Sequence, residues 1–106
     1  MKTLTVKLFA ATILLSGFAF ATPVTLTGTL SDTMCKGKHM SPNMSPAACA
    51  RACVKAGAKW ALVTKDKVYV LDGNAQTLSH LAGQQVRVTG EVNGDTVQVS
   101  AIAATQ

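Results

Sequence analysis

A chain of 106 residues with 48% hydrophobic and 14% charged side chains has room for one domain, and no shift in composition divides it. Its formal net charge of +5 suggests anionic partners, but two of those charges lie in an N-terminal segment that is read below as removed. The remaining +3, with Trp60 and Tyr69 as the only aromatic rings left, argues against a nucleic-acid binder built on base stacking.

Lys2 and Lys7 flank the start of an apolar run from Leu8 to Phe20, and Ala19-Phe20-Ala21 has the small-x-small form of a cleavage site before Thr22. Residues 1–21 are therefore expected to be a secretory signal peptide. A membrane anchor is not expected, because Thr12, Ser16 and Gly17 dilute the run and it ends short of the about 20 apolar residues a span needs. No cysteine follows the cleavage site to take a lipid, so the expected destination is a periplasm or the medium. The domain is then residues 22–106. It loses Phe9, Phe18 and Phe20 with the signal, so its core must be built from Val, Leu, Ile and Ala. Exported domains of this size usually add a disulfide, a metal or a partner subunit to a small core.

Val24 to Leu30 alternates apolar and polar residues with the period of two of a half-buried strand. Ser31 to Met44 is rich in Ser, Lys, Gly, Asn and Met without periodicity, and reads as a loop. A helix is expected from Ser45 as N-cap and Pro46 in the first turn through Ala56, ending at Gly57. Lys59 to Thr64 and Val68 to Leu71 read as a hairpin of short strands, and Ala75 to Ala82 as a short helix ending at Gly83. Val86 to Val92 and Thr96 to Ile102 alternate around Asn93-Gly94, the strongest short hairpin signal.

This order predicts a mainly β fold: a small five-stranded OB-like barrel, with a helical insertion between strands 1 and 2 and a short helix between strands 3 and 4. A small mixed sheet with one helix packed on it is the alternative. The insertion lies at an end of the barrel where such folds often bind ligands.

The insertion carries the chemistry. Cys35, His39, Cys49 and Cys53 fall within nineteen positions as Cys-x3-His and Cys-x3-Cys. On the predicted helix, positions 46, 49, 50, 53 and 54 form one stripe, so both helical thiols face the core. Thiols four apart on a helix have Cβ atoms about 5 to 6 Å apart, too far for a disulfide, but two such donors can converge on one metal. Two readings follow. In the first, three thiolates and an imidazole close a site for a soft metal, zinc as a structural ion or copper in a transport or buffering role. Met34, Met40 and Met44 near Cys35 and His39 bear on copper, although they can equally pack the loop against the barrel. In the second, Cys35 pairs with Cys49 or Cys53 as a disulfide staple and one thiol is left over.

The runs Gly28 to Asp32, Met34-Cys35, His39-Met40, Cys49 to Gly57, Trp60 to Val63, Asp66 to Tyr69 and Val86 to Gly90 resemble a group of small exported bacterial proteins of unassigned function. The resemblance implies an OB-like fold, export and a Cys/His motif, and it implies no activity. Catalysis is not expected from the residues either. Lys36 and Lys38 could activate a thiol, but nothing supplies an oxyanion site, and the two-residue spacing of redox cysteine pairs is absent. His80 reads as an ordinary surface residue. The expectation is a non-enzymatic exported domain with a Cys35/His39/Cys49/Cys53 site for zinc or copper. The competing expectation is a disulfide-stapled module that binds a small ligand or an envelope protein.

Overall fold

Alternation along β1 (Val24–Asp32) turns Leu26, Gly28 and Leu30 inward, and the same face continues to Asp32, which is fully buried. The computed structural model describes residues 22–38 and 43–105, so the expected signal peptide lies outside the described residues. β1 is followed by α1 (Pro46–Lys55), β2 (Trp60–Val63), β3 (Val68–Asp72), α2 (Ala75–Leu81), β4 (Gln85–Asn93) and β5 (Thr96–Ala104). α1 thus lies in the connection from β1 to β2, and α2 in that from β3 to β4.

The chain is mainly β, and its five strands close into a ring in the order β1-β2-β3-β5-β4. β1 pairs antiparallel with both β2 and β4, while β3 and β5 run parallel, with Val70 opposite Thr96 and Leu71 opposite Val97. The β4–β5 hairpin turns at Gly94-Asp95, where Gly94 takes φ +63. The register shift between Thr89 and Gly90 leaves Ser100 of β5 as the extra residue of a bulge, and a side chain at Gly90 would collide with the Gln98 carbonyl.

The inward faces of the strands meet in an aliphatic core of Leu30, Leu62, Leu71, Val86, Val88 and Val97, with Leu78 of α2 closing one side. Trp60 belongs to this core rather than to a ligand face. Tyr69 is half-buried under the ammonium of Lys67, 4.6 Å from the ring centre.

One boundary corrects the sequence reading. The loop expected from Ser31 starts two residues later, because Ser31 and Asp32 still pair with Ala61 and Trp60 of β2. Both are buried. Polar residue types suggested a loop, but the ladder to β2 holds them in the strand.

Candidate metal centre

Two short segments meet at the end of the strand ring near β1. The first is the turn that follows Asp32. One carboxylate oxygen of Asp32, Oδ2, accepts hydrogen bonds from the backbone N–H groups of Met34 and Cys35, each at 2.9 Å. The Lys36 N–H donates to the Asp32 carbonyl, and the Gly37 N–H donates to Ser31 Oγ. Lys36 (φ +51) and Gly37 (φ +81) sit in the left-handed region that a tight turn demands. Cys35 is thereby turned inward and is 4% exposed.

The second segment is α1. Ser45 caps it by accepting from the Ala48 N–H at 3.1 Å, and Pro46 occupies the first turn. Cys49 and Ala50 of the expected stripe are buried, Cys53 and Val54 are half-buried, and Pro46 is exposed. Arg51 donates to the Ser79 carbonyl of α2 at 2.9 Å, tying the helix to its neighbour. The turn and the helix exit are joined by Thr33 and Lys59: the Thr33 N–H donates to the Lys59 carbonyl, and the Lys59 N–H to Thr33 Oγ1.

The result is a cluster of three sulfurs. Cys35 Sγ lies 2.9 Å from Cys53 Sγ and 3.3 Å from Cys49 Sγ, and all three fall within 4.8 Å of one another. No pair is at the about 2.05 Å of a disulfide, and all three cysteines are free thiols. Three thiolates at about 2.3 Å from a tetrahedral zinc would stand about 3.8 Å apart, a small expansion of this cluster. A cavity of about 20 Å³, bordered by Leu30, Ser31, Pro46 and Gly83, adjoins Cys35 and Cys49. It is large enough for one water-sized occupant.

Electrostatically the surroundings of Cys35 and Cys53 favour the protonated thiol. Burial pushes the Cys35 thiol well above its ordinary range, and its contacts with Cys53, Cys49 and the Asp32 carboxylate push in the same direction. For Cys53 the contact with Cys35 pulls downward, but burial and the charge of Asp32 outweigh it and the thiol is raised.

Of the four residues singled out by spacing, the structure brings together Cys35, Cys49 and Cys53, while His39 lies outside the described residues, as does Met40. Met34 is 58% exposed, which does not fit the role of packing the loop against the strands. His80 is exposed, at the end of α2. Sequence reasoning overlooked Asp32, which sits against two of the three thiols. The available signal was its position at the inward phase of β1, where an acidic residue is out of place.

Residues 54–105 match the model of a family described as a protein of unknown function (DUF5818). The match takes in the end of α1, β2, β3, α2, β4 and β5 and begins one residue after Cys53, so it bears on the strand scaffold and not on the thiol cluster. No curated protein and no solved structure matches the chain.

Proposed function

We propose that this is a small, exported, non-enzymatic domain whose Cys35, Cys49 and Cys53 thiols bind one soft metal ion, zinc or copper(I), in a structural or metal-holding role. The observation that carries this reading is the convergence of three sulfurs within 4.8 Å from a loop and two successive turns of a helix. Three buried or half-buried thiols at that spacing, with none bonded to another, suit a cation better than a simple core. A tetrahedral ion needs one donor more. The candidate from spacing is His39.

The non-enzymatic part is supported by the raised thiols, since the thiolate is the nucleophile and Cys35 and Cys53 are held protonated. An OB-like build is supported by the ring order β1-β2-β3-β5-β4, the parallel β3–β5 pair and the helix between β3 and β4. Export rests on residues 1–21. A partner, whether a small ligand or an envelope protein, is expected at the end of the ring that carries the cluster.

The second reading, a disulfide-stapled module without metal, is favoured by one distance, the 2.9 Å between Cys35 and Cys53. Elemental analysis of the untagged chain recovered from the exported fraction, with a thiol count on the same sample, separates the two. The metal reading requires close to one zinc or copper per chain, lost when Cys49 and Cys53 are both replaced by Ser. A metal-free chain with a two-dalton mass deficit and one free thiol overturns it.

A further inference from the structure

Asp32 is the most conspicuous polar group in the fold. It is fully buried, on the inward face of β1, one alternation beyond Leu30. Its Oδ2 is satisfied by the N–H groups of Met34 and Cys35, but its Oδ1 is buried and has no hydrogen-bond partner among the described residues. The ion pair found among the described residues, Lys67 with Asp95, is elsewhere on the surface. The neighbouring Lys36, Lys38 and Lys59 are exposed. A carboxylate taken out of water with one bare oxygen is strongly disfavoured unless a cation or a donor faces it.

The same carboxylate stands against the thiol cluster. It belongs to the turn that carries Cys35, and its Oδ2 accepts the Cys35 N–H at 2.9 Å. The orphan oxygen belongs to the turn that delivers Cys35; the group of donor atoms within 4.8 Å of one another is the three sulfurs without it, so Oδ1 has to close on them when an ion binds.

We infer that Asp32 supplies the fourth donor of the metal site, through Oδ1, so that the ion is held by three thiolates and one carboxylate. This rests on the metal reading and deepens it, because the donor set selects the ion. Carboxylate oxygen is a hard donor that suits zinc and not copper(I), which prefers an all-soft environment. Oδ2 keeps its two backbone bonds and aims the carboxylate, as groups around a metal commonly do for its ligands. Cys35 and its oxygen partner are then delivered by one turn, and Cys49 and Cys53 by one helix.

The test is zinc-edge X-ray absorption on the full wild-type chain loaded with zinc alone, alongside zinc affinity by chelator competition for wild type, Asp32→Asn and the exposed-turn control Asp66→Asn. The inference requires three sulfur scatterers and one oxygen without the outer-shell signature of imidazole. It also requires an affinity loss of at least about tenfold for Asp32→Asn and none for Asp66→Asn. Asn preserves a carbonyl oxygen for the Met34 and Cys35 N–H groups, and circular dichroism checks that the variant folds. Should it not fold, an imidazole signature in the wild-type spectrum still overturns the inference. An imidazole signature, or unchanged affinity in a folded Asp32→Asn, overturns the inference and leaves the thiolate site standing with another fourth donor. Failure of the wild-type chain to bind either metal defeats the underlying reading instead.

Discussion

Cys35 Sγ is 2.9 Å from Cys53 Sγ and 3.3 Å from Cys49 Sγ, so the loop thiol is the hub of the cluster and the two helical thiols are its spokes. Thiols four apart on a helix cannot reach each other without unwinding a turn. Oxidation of the reduced, metal-free chain with a small disulfide reagent should therefore give a Cys35–Cys53 bond as the main product, a smaller share of Cys35–Cys49, and no Cys49–Cys53. Peptide mapping by mass spectrometry under non-reducing conditions reads this directly. Closing a loop of this length should stabilise the metal-free domain by about 3 kcal/mol on the chain-entropy account. A dominant Cys49–Cys53 product would mean that α1 is not helical through its second turn.

Gly83 sets how closely α1 approaches the strands. It takes φ +78 and donates its N–H to the Leu30 carbonyl at 2.8 Å, and a Cβ there would lie 2.7 Å from the backbone nitrogen of Ala47. Ala47 is two residues before Cys49. Gly83→Ala should lose about 1 to 3 kcal/mol through backbone strain and, by displacing the helix, weaken zinc binding as well. Gly94→Ala provides the contrast: φ is +63, but nothing lies within 4 Å of the added methyl. It should lose stability with zinc affinity kept. Urea unfolding of the metal-free proteins and chelator competition on the loaded ones give the two numbers, and equal effects of both variants on affinity would remove the role assigned to Gly83.

Much of this arrangement could be read from local pattern. The Ser45 cap and Pro46 located α1, helical spacing put Cys49 and Cys53 on one face, and Asn93-Gly94 placed the last hairpin. What escaped the sequence was non-local. The parallel pairing of β3 with β5 has no signature in either segment, because it depends on β4 and α2 intervening. Ser31 and Asp32 read as loop because their side chains are polar, whereas their partners Ala61 and Trp60 lie some thirty residues on. Cys35 meets Cys53 because Thr33 and Lys59 exchange hydrogen bonds, a contact that no spacing rule anticipates.

Leu30 links the core to the site. It is fully buried, packs in the central cluster and borders the small cavity beside Cys35 and Cys49. Leu30→Ala should destabilise the domain by about 2 to 5 kcal/mol, through lost burial and through a cavity the rigid strand ring cannot close. At about 4 to 8 °C per kcal/mol for a domain of this size, the melting temperature should drop by 10 °C or more. Thermal unfolding followed by circular dichroism measures it, and a drop of only a few degrees would show that the space beside the thiols collapses freely.

The raised thiols give the metal-free domain a pH signature. Cys35 is raised above its ordinary 9.0 by burial first and then by its contacts with Cys53, Cys49 and Asp32. Cys53 is lowered by Cys35 but raised on balance by burial and Asp32. In the unfolded chain both ionise near the ordinary value, so above about pH 9 the unfolded state releases protons that the folded state still holds. This contribution to stability is complete below that pH and is lost progressively as pH climbs towards the folded values. Urea midpoints of the reduced, metal-free chain should be level between about pH 7 and about pH 8.5 and fall towards about pH 10.5. The zinc-loaded chain, its thiols already ionised against the metal, should show no such fall over the same range and should instead lose its metal as pH is lowered and protons compete for the sulfurs. A metal-free midpoint that stays flat to about pH 10.5 would mean that the thiols are solvated and that the buried three-sulfur cluster does not form without its ion.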